Sequence, residues 1–207
     1  GMADLLKSEQ LNQKQANYVE VIQNSGHSLM NVINDILDFS KIEAGKMDLH
    51  IEEFDFANLL KQIEATARPL VDKNKNKFVI KCKTKKLKLK NDQTKLRQIL
   101  FNMLSNAAKF TKKGTITLQI KPEKKDNLRF DVIDTGIGMS EEQMGKVFEE
   151  FTQAESSTSK DYGGTGLGLP ISKKMTEMMG GKMEVKSKEG KGTTFSIIIP
   201  IVVQEEK

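Results

Sequence analysis

The sequence predicts a two-layer α/β sandwich, of the α+β kind, behind an N-terminal remnant of a helical hairpin. Three observations carry this. Apolar residues in the N-terminal region step by three and four, as along the seam of a helix pair. After Met47, short runs of period two alternate with runs of helical period. The 207 residues exceed one domain of about 150 without reaching two. One smaller and one larger unit are expected, 1–46 and 47–207.

The elements follow in order. Ala3–Lys7 reads as the tail of one helix and Ser8–Asn12 as a bend. From Ile22 the seam runs through Gly26, Leu29, Ile33, Ile36 and Ser40, with Asp35 and Asp38 on other faces, and Gly45 is placed to stop the helix. Such a helix cannot hide its stripe alone, so it needs an earlier helix or another subunit. Met47–Phe54 is strand-like, and Phe56–Val71 has a helical pattern. The alternation of Phe78–Lys83 and Leu87–Lys90 predicts strands with a solvated lysine face. Asp92 is a good N-cap for a long helix carrying Leu96, Ile99, Leu100, Met103, Leu104 and Ala107 to Phe110, where Lys112-Lys113-Gly114 ends it. Strands are predicted at Thr115–Lys121 and Leu128–Ile133, around a turn at Glu123–Asn127. A short helix, Ser140–Val147, and a polar Ser/Thr/Gly loop follow. A helix over Gly166–Met179 and strands at Lys182–Ser187 and Thr193–Ile199 complete the pattern. Met175, Met178 and Met179 recur at helical spacing and read as core filler.

Composition excludes several functions. With 37% hydrophobic and 29% charged residues, the chain suits a water-surrounded fold. Its longest apolar run, Ile197–Val203, is broken by Pro200 and falls well short of the roughly 18 residues of a membrane span. No signal peptide opens the chain, and Gly1-Met2 reads as a tag remnant on an excised piece. Cys82 stands alone, which excludes an internal disulfide, and with only His27 and His50 beside it no zinc site is expected. The net charge of +5 invites a nucleic-acid reading, but it is local. Nine lysines and no acidic residue lie between Lys73 and Lys90, and the remainder has 24 basic against 28 acidic residues. That stretch has no arginine and a single aromatic, Phe78, so base stacking and bidentate base reading have little to work with. It reads as a solubilising strand face away from the functional motifs, with no nucleic acid and no membrane as partner.

Three polar constellations interrupt these elements. Asn102, Asn106 and Lys109 lie at i, i+4 and i+7 on one face of the long helix. An amide oxygen is a neutral hard ligand suited to Mg²⁺, and an ammonium pairs with phosphate; the plain alternative is a solvated face. Asp134-Thr135-Gly136-Ile137-Gly138 follows a strand. A carboxylate there can accept a hydrogen bond from an amino group such as adenine's, and the glycines let backbone approach; the plain alternative is a tight turn. Gly163-Gly164-Thr165-Gly166-Leu167-Gly168-Leu169 opens a helix, where backbone N–H groups favour an anion. It is neither a Walker loop nor the dinucleotide fingerprint. A mere linker would not run straight into an apolar helix.

In this order the motifs resemble those of the catalytic, ATP-binding part of sensor histidine kinases of two-component systems, in the superfamily that also holds gyrase-type, heat-shock-chaperone and mismatch-repair ATPases. Asn102–Phe110 resembles the N box, Asp134–Gly138 the G1 box, Phe148-Glu149-Glu150-Phe151 the F box and Gly164–Leu169 the G2 box. Gly192-Thr193-Thr194-Phe195 is similar to the last patch, and Asn34–Lys46 to the end of the dimerisation hairpin's second helix. The resemblance implies a Bergerat-type fold binding ATP and Mg²⁺. Asp134 would take the adenine amino group, with Thr194 nearby through water and Gly136 and Gly138 shaping the turn. Asn106 would ligate Mg²⁺, with Asn102 on the same face. Lys109 would meet the phosphates, cradled by Gly164, Thr165, Gly166, Leu167, Gly168 and Leu169. Thr152–Tyr162 would be a lid anchored by Phe148 and Phe151.

It also implies a homodimer through the hairpin, a response-regulator receiver domain as partner, and a cytoplasmic location. One departure stands out. The family's acceptor histidine sits in an H box, His-Glu/Asp followed by a polar run and Pro, and neither His27 nor His50 has that context. The natural H box is expected before Gly1, so the chain alone should not autophosphorylate. Two other functions compete with a kinase: a hydrolytic ATPase of the same superfamily, and a dimerising module whose nucleotide site has decayed. The hydrolytic class places a water-activating glutamate four residues before the metal asparagine, where this chain has Asn102, which cannot act as a base. The complete set of Asn106, Asp134 and glycines speaks against decay.

Overall fold

The computed structural model describes residues 2–84, 88–124, 126–150, 152 and 165–203. The chain divides into two compact units, Gly1–Lys46 and Met47–Lys207. In the first, helix α1 (Met2–Lys7) turns into the long helix α2 (Gln13–Glu43). Asn12 caps α2 with a reciprocal pair: its side chain accepts from Gln15 N–H, and the Gln15 amide accepts from Asn12 N–H, both at 3.0 Å. Gln23 Nε2 donates to Asp4 Oδ1 at 2.7 Å, tying α1 to α2. The left-handed Gly45 (φ 62°) ends the helix as its sequence position predicts. Val19 is the buried residue of α2, while Ile22, Leu29, Ile33 and Ile36 remain exposed along the seam.

The second unit begins with strand β1 (Glu52–Asp55), helix α3 (Phe56–Lys73), strand β2 (Lys77–Cys82) and strand β3 (Lys88–Asn91). Helix α4 (Gln93–Phe110), strands β4 (Thr115–Glu123) and β5 (Asn127–Asp134) and helix α5 (Glu141–Lys146) follow, then helix α6 (Gly168–Met178) and strands β6 (Lys182–Lys188) and β7 (Gly192–Pro200). Five strands form one sheet in the order β2-β4-β5-β7-β6, with β2 parallel to β4 and the other pairs antiparallel. One face of that sheet carries Ile116, Leu118, Ile120, Phe130, Val132 and Ile197, all essentially buried. Against it pack the apolar stripes of α3, α4 and α6, with Phe56 meeting Phe130 edge to face at 5.8 Å. Met175 and Met179 are buried in this layer, as core filler should be, whereas Met178 is only half-buried. The opposite face is polar: Asp131 takes hydrogen bonds from Arg129 Nε and Ser196 Oγ, each at 2.7 Å. The result is the two-layer α+β sandwich expected from the pattern.

Two expectations need correction. The strand predicted from Met47 starts only at Glu52, because its partner β3 ends at Asn91, opposite Glu52. Residues 47–51 are held instead by the start of α4: His50 N–H donates to Asp92 Oδ2 at 2.9 Å, and Lys95 Nζ to the Asp48 carbonyl at 2.6 Å. The lysine stretch is also not wholly remote from the motifs. Lys77 N–H donates to the Gly114 carbonyl, and Lys113 N–H to the Asn74 carbonyl, so its first residues border the end of α4. Among the described residues, no helix is long and apolar enough to cross a membrane.

Candidate nucleotide site

Asp134 ends β5 on the helix-facing side of the sheet, level with Ile116 on β4, and is buried. Its Oδ1 accepts from Gly136 N–H at 2.8 Å and from Thr193 N–H at 3.3 Å. Burial pushes its carboxyl pKa above the ordinary value, against the pull of those two N–H groups and of the Thr111 hydroxyl beside it. Thr111 Oγ1 is itself buried without a hydrogen bond of good geometry. Gly136 fits here because it lacks a side chain: a Cβ would lie 2.8 Å from Thr111 Oγ1 and 2.9 Å from Asp134 Oδ1, and would collide with the Phe110 carbonyl. Gly138 closes the turn in the left-handed region (φ 68°).

The face of α4 carries the second part. Asn102 Nδ2 donates to Ser172 Oγ on α6 at 2.9 Å, and Asn106 Nδ2 reaches Asn102 Oδ1 at a long 3.5 Å. Lys109 is half-buried, and burial lowers its ammonium pKa. Gly168 brings α6 against this face: a Cβ there would stand 2.7 Å from Asn102 Oδ1. Ahead of it, Thr165 Oγ1 accepts from Leu167 N–H at 3.1 Å, Gly166 is left-handed (φ 72°) and Leu167 is buried. Among the described residues no side chain caps the start of α6, so its first N–H groups can serve an anion. Leu169 lies half-buried in the first turn. Phe148 of the F box meets Phe195 edge to face at 6.4 Å, and Lys173 Nζ sits 5.4 Å from its ring centroid. Phe151, Gly164 and all of Thr152–Tyr162 except Thr152 lie outside the described residues.

Thr194 requires correction. It pairs with Ile133 and so lies on the opposite face of the sheet from Asp134, since side chains alternate along a strand. Thr193 is the residue that reaches Asp134, and its hydroxyl is 2.8 Å from Ser187 Oγ. Period-two counting back from the inward Phe195 would have selected Thr193. Thr111 and Ser172 carry no signal in the sequence, because each acquires meaning only through a partner distant in the chain. The residues would fit a nucleotide whose phosphates carry a divalent ion: a buried acceptor, two neutral amides, a half-buried ammonium and the start of a helix. Among the described residues no three His, Cys, Asp or Glu side chains gather into a metal site, so a divalent ion here would rely on an amide oxygen and on the phosphates.

Comparison with known proteins identifies the family. Residues 91–203 match the family described as histidine kinase-, DNA gyrase B- and HSP90-like ATPase, and residues 1–45 match the His Kinase A (phospho-acceptor) domain. The chain belongs to this ATPase family, on its sensor histidine kinase branch. It is 39% identical over 211 residues to the autoinducer 2 sensor kinase/phosphatase LuxQ of Vibrio parahaemolyticus, covering 99% of this chain and 25% of the relative. It is 40% identical to the sensor protein GacS of Pseudomonas syringae, covering 97% of this chain and 23% of the relative. The chain thus spans about a quarter of the length of these relatives. Among solved structures, full-length ShkA in complex with AMPPNP superposes with a TM-score of 0.80 at 30% identity, over 98% of this chain and 42% of that one. ThkA in complex with the response regulator TrrA shares the fold, with a TM-score of 0.70 at 21% identity, over 99% of this chain and 57% of that one.

Proposed function

We propose that this chain is the ATP-binding catalytic portion of a sensor histidine kinase, which passes the γ-phosphoryl group of ATP to a histidine for relay to a response-regulator aspartate. In this reading Gly1–Lys46 is the later part of a dimerisation hairpin, Met47–Lys207 is the nucleotide domain, and the protein works in the cytoplasm. The observation that carries it is the buried Asp134, whose Oδ1 is held by Gly136 and Thr193 N–H groups while its carboxylate can still accept from the amino group of adenine. Asn106 would offer its amide oxygen to Mg²⁺, which when bound neutralises the β- and γ-phosphate oxygens. Lys109 supplies a cation at the end of the same helix face. The uncapped start of α6, opened by Gly168, receives phosphate oxygens on backbone N–H groups. Asn102 donates to Ser172 and has no basic lone pair with which to activate water, so the site favours transfer over hydrolysis. An imidazole is a good neutral nucleophile, which leaves positioning and charge neutralisation as the domain's task.

The test is transfer from γ-labelled ATP to a supplied hairpin carrying an H box. Acid-labile label should accumulate on the hairpin, and none on this chain alone. Hydrolysis at several turnovers per second without transfer would replace this reading with that of a conformational ATPase.

A further inference from the structure

The turn between α3 and β2 carries two asparagines that no nucleotide motif contains. Lys75, at its centre, is left-handed (φ 56°). Asn74 Nδ2 donates to the Ala108 carbonyl at 2.8 Å, and its own carbonyl accepts from Lys113 N–H at 3.0 Å. Asn76 is buried and uses both ends of its amide: Nδ2 donates to the Thr111 carbonyl at 2.8 Å, and Oδ1 accepts from Gly114 N–H at 2.9 Å. The next residue, Lys77, donates its N–H to the Gly114 carbonyl at 2.8 Å. These bonds satisfy carbonyls that the end of a helix leaves open, and they fix the path of the chain from Ala108 to Gly114. That path forms one wall of the Asp134 turn. Ile137 N–H donates to the Phe110 carbonyl, Thr115 N–H to Thr135 Oγ1, and Phe110 and Thr111 stand so close to Gly136 that only a residue without a side chain fits between them and Asp134.

We infer that Asn76, assisted by Asn74, is a positioning residue of the nucleotide site: it holds Thr111 and Gly114 so that the Asp134–Gly136 turn keeps the shape that receives the base. This rests on the function proposed above. Asn76 touches no nucleotide and acts through Thr111. A purely structural asparagine would contribute stability without coupling to the ligand, and Asn91 supplies that comparison. It is also fully buried, and its Nδ2 donates to the Pro200 carbonyl at 3.1 Å, at the other end of α4.

The experiment measures binding of ADP with Mg²⁺ to the whole chain by calorimetry, beside thermal melts of each variant. Asn76→Asp retains the acceptor for Gly114 N–H and replaces the donor to Thr111 with an oxygen; Asn76→Ala removes both. Either folded variant should bind ADP about tenfold more weakly, whereas Asn91→Ala should lower the melting temperature and leave affinity unchanged. Thr111→Val should cost less affinity in the Asn76→Asp background than in the native one, because the two residues act in series. A measurement on the native chain serves even if both Asn76 variants fail to fold: by reciprocal linkage, saturating ADP should slow exchange of the Gly114 amide hydrogen about tenfold. Native affinity in a folded Asn76 variant, additive effects with Thr111→Val, or unchanged Gly114 exchange would each overturn the inference. Asp134→Asn separates the two questions, since retained ADP binding in that variant overturns the site itself.

Discussion

At the end of β5, Asp134 is held by two N–H groups on one oxygen and is buried. Its raised pKa means that the folded protein binds a proton more tightly than the unfolded chain does. The sign then follows. The stability that Asp134 contributes is fully present below the ordinary carboxylate pKa of 3.8 and is lost as pH rises through the higher folded value, so at neutral pH the ionised Asp134 costs stability. Asp134→Asn should therefore melt no lower than the native chain at pH 7, and urea or thermal unfolding checks this. The same variant should lose nucleotide. Gly136 and Thr193 N–H keep the amide oxygen where Oδ1 was, which turns the amide nitrogen toward the base, donor against donor. A loss of at least ~100-fold in ATP affinity by calorimetry is expected. In the native protein, affinity should fall on acidification through the raised pKa. A flat profile across that range would mean that the carboxylate does not accept from the base.

The elements show which physics was legible in the sequence. Helix α4 could be read from its own residues, since Asp92 caps it and one stripe of Leu, Ile and Met faces the sheet; Asn102, Asn106 and Lys109 followed from helical spacing. The parallel pairing of β2 with β4 could not, because alternation fixes a strand's faces but not its neighbours. Thr193 and Thr194 show a related limit: counting along a motif ignores which face a strand presents, and it is Thr193 that shares a face with Asp134. Ser172 and Asn76 act on residues 70 and 35 positions away, and no local pattern announces such bonds. Helix α6 gives a test at this scale. Gly168→Ala adds a Cβ 2.7 Å from Asn102 Oδ1, which must displace that amide from Ser172. Alanine suits a helix better than glycine by roughly 1 kcal/mol, so the melting temperature should change little while ATP affinity falls about tenfold, a division that a helix serving only structure would not produce. Unchanged affinity would remove the start of α6 from the phosphate site.

For the molecule as a whole, the two units differ in how they hold themselves together. The unit Met47–Lys207 has a continuous apolar core between sheet and helices, whereas α2, with 31 residues, buries Val19 and leaves Ile22 60%, Leu29 61%, Ile33 41% and Ile36 48% exposed. Each Leu or Ile left in water forgoes about 1.5–3 kcal/mol of burial, and a helix of this kind gains most of its stability from packing rather than propensity. The stripe follows coiled-coil spacing, so a second copy of α2 is a suitable cover. The chain should then sediment as a concentration-dependent dimer. Leu29→Glu with Ile33→Glu places charges on the seam, and should yield a monomer with reduced helical circular dichroism. The nucleotide unit has its own core, so ADP affinity in that double variant should match the native value. If dimer dissociation and loss of ADP binding instead occurred together, the two units would fold as one cooperative body, and the nucleotide site would depend on the helical seam.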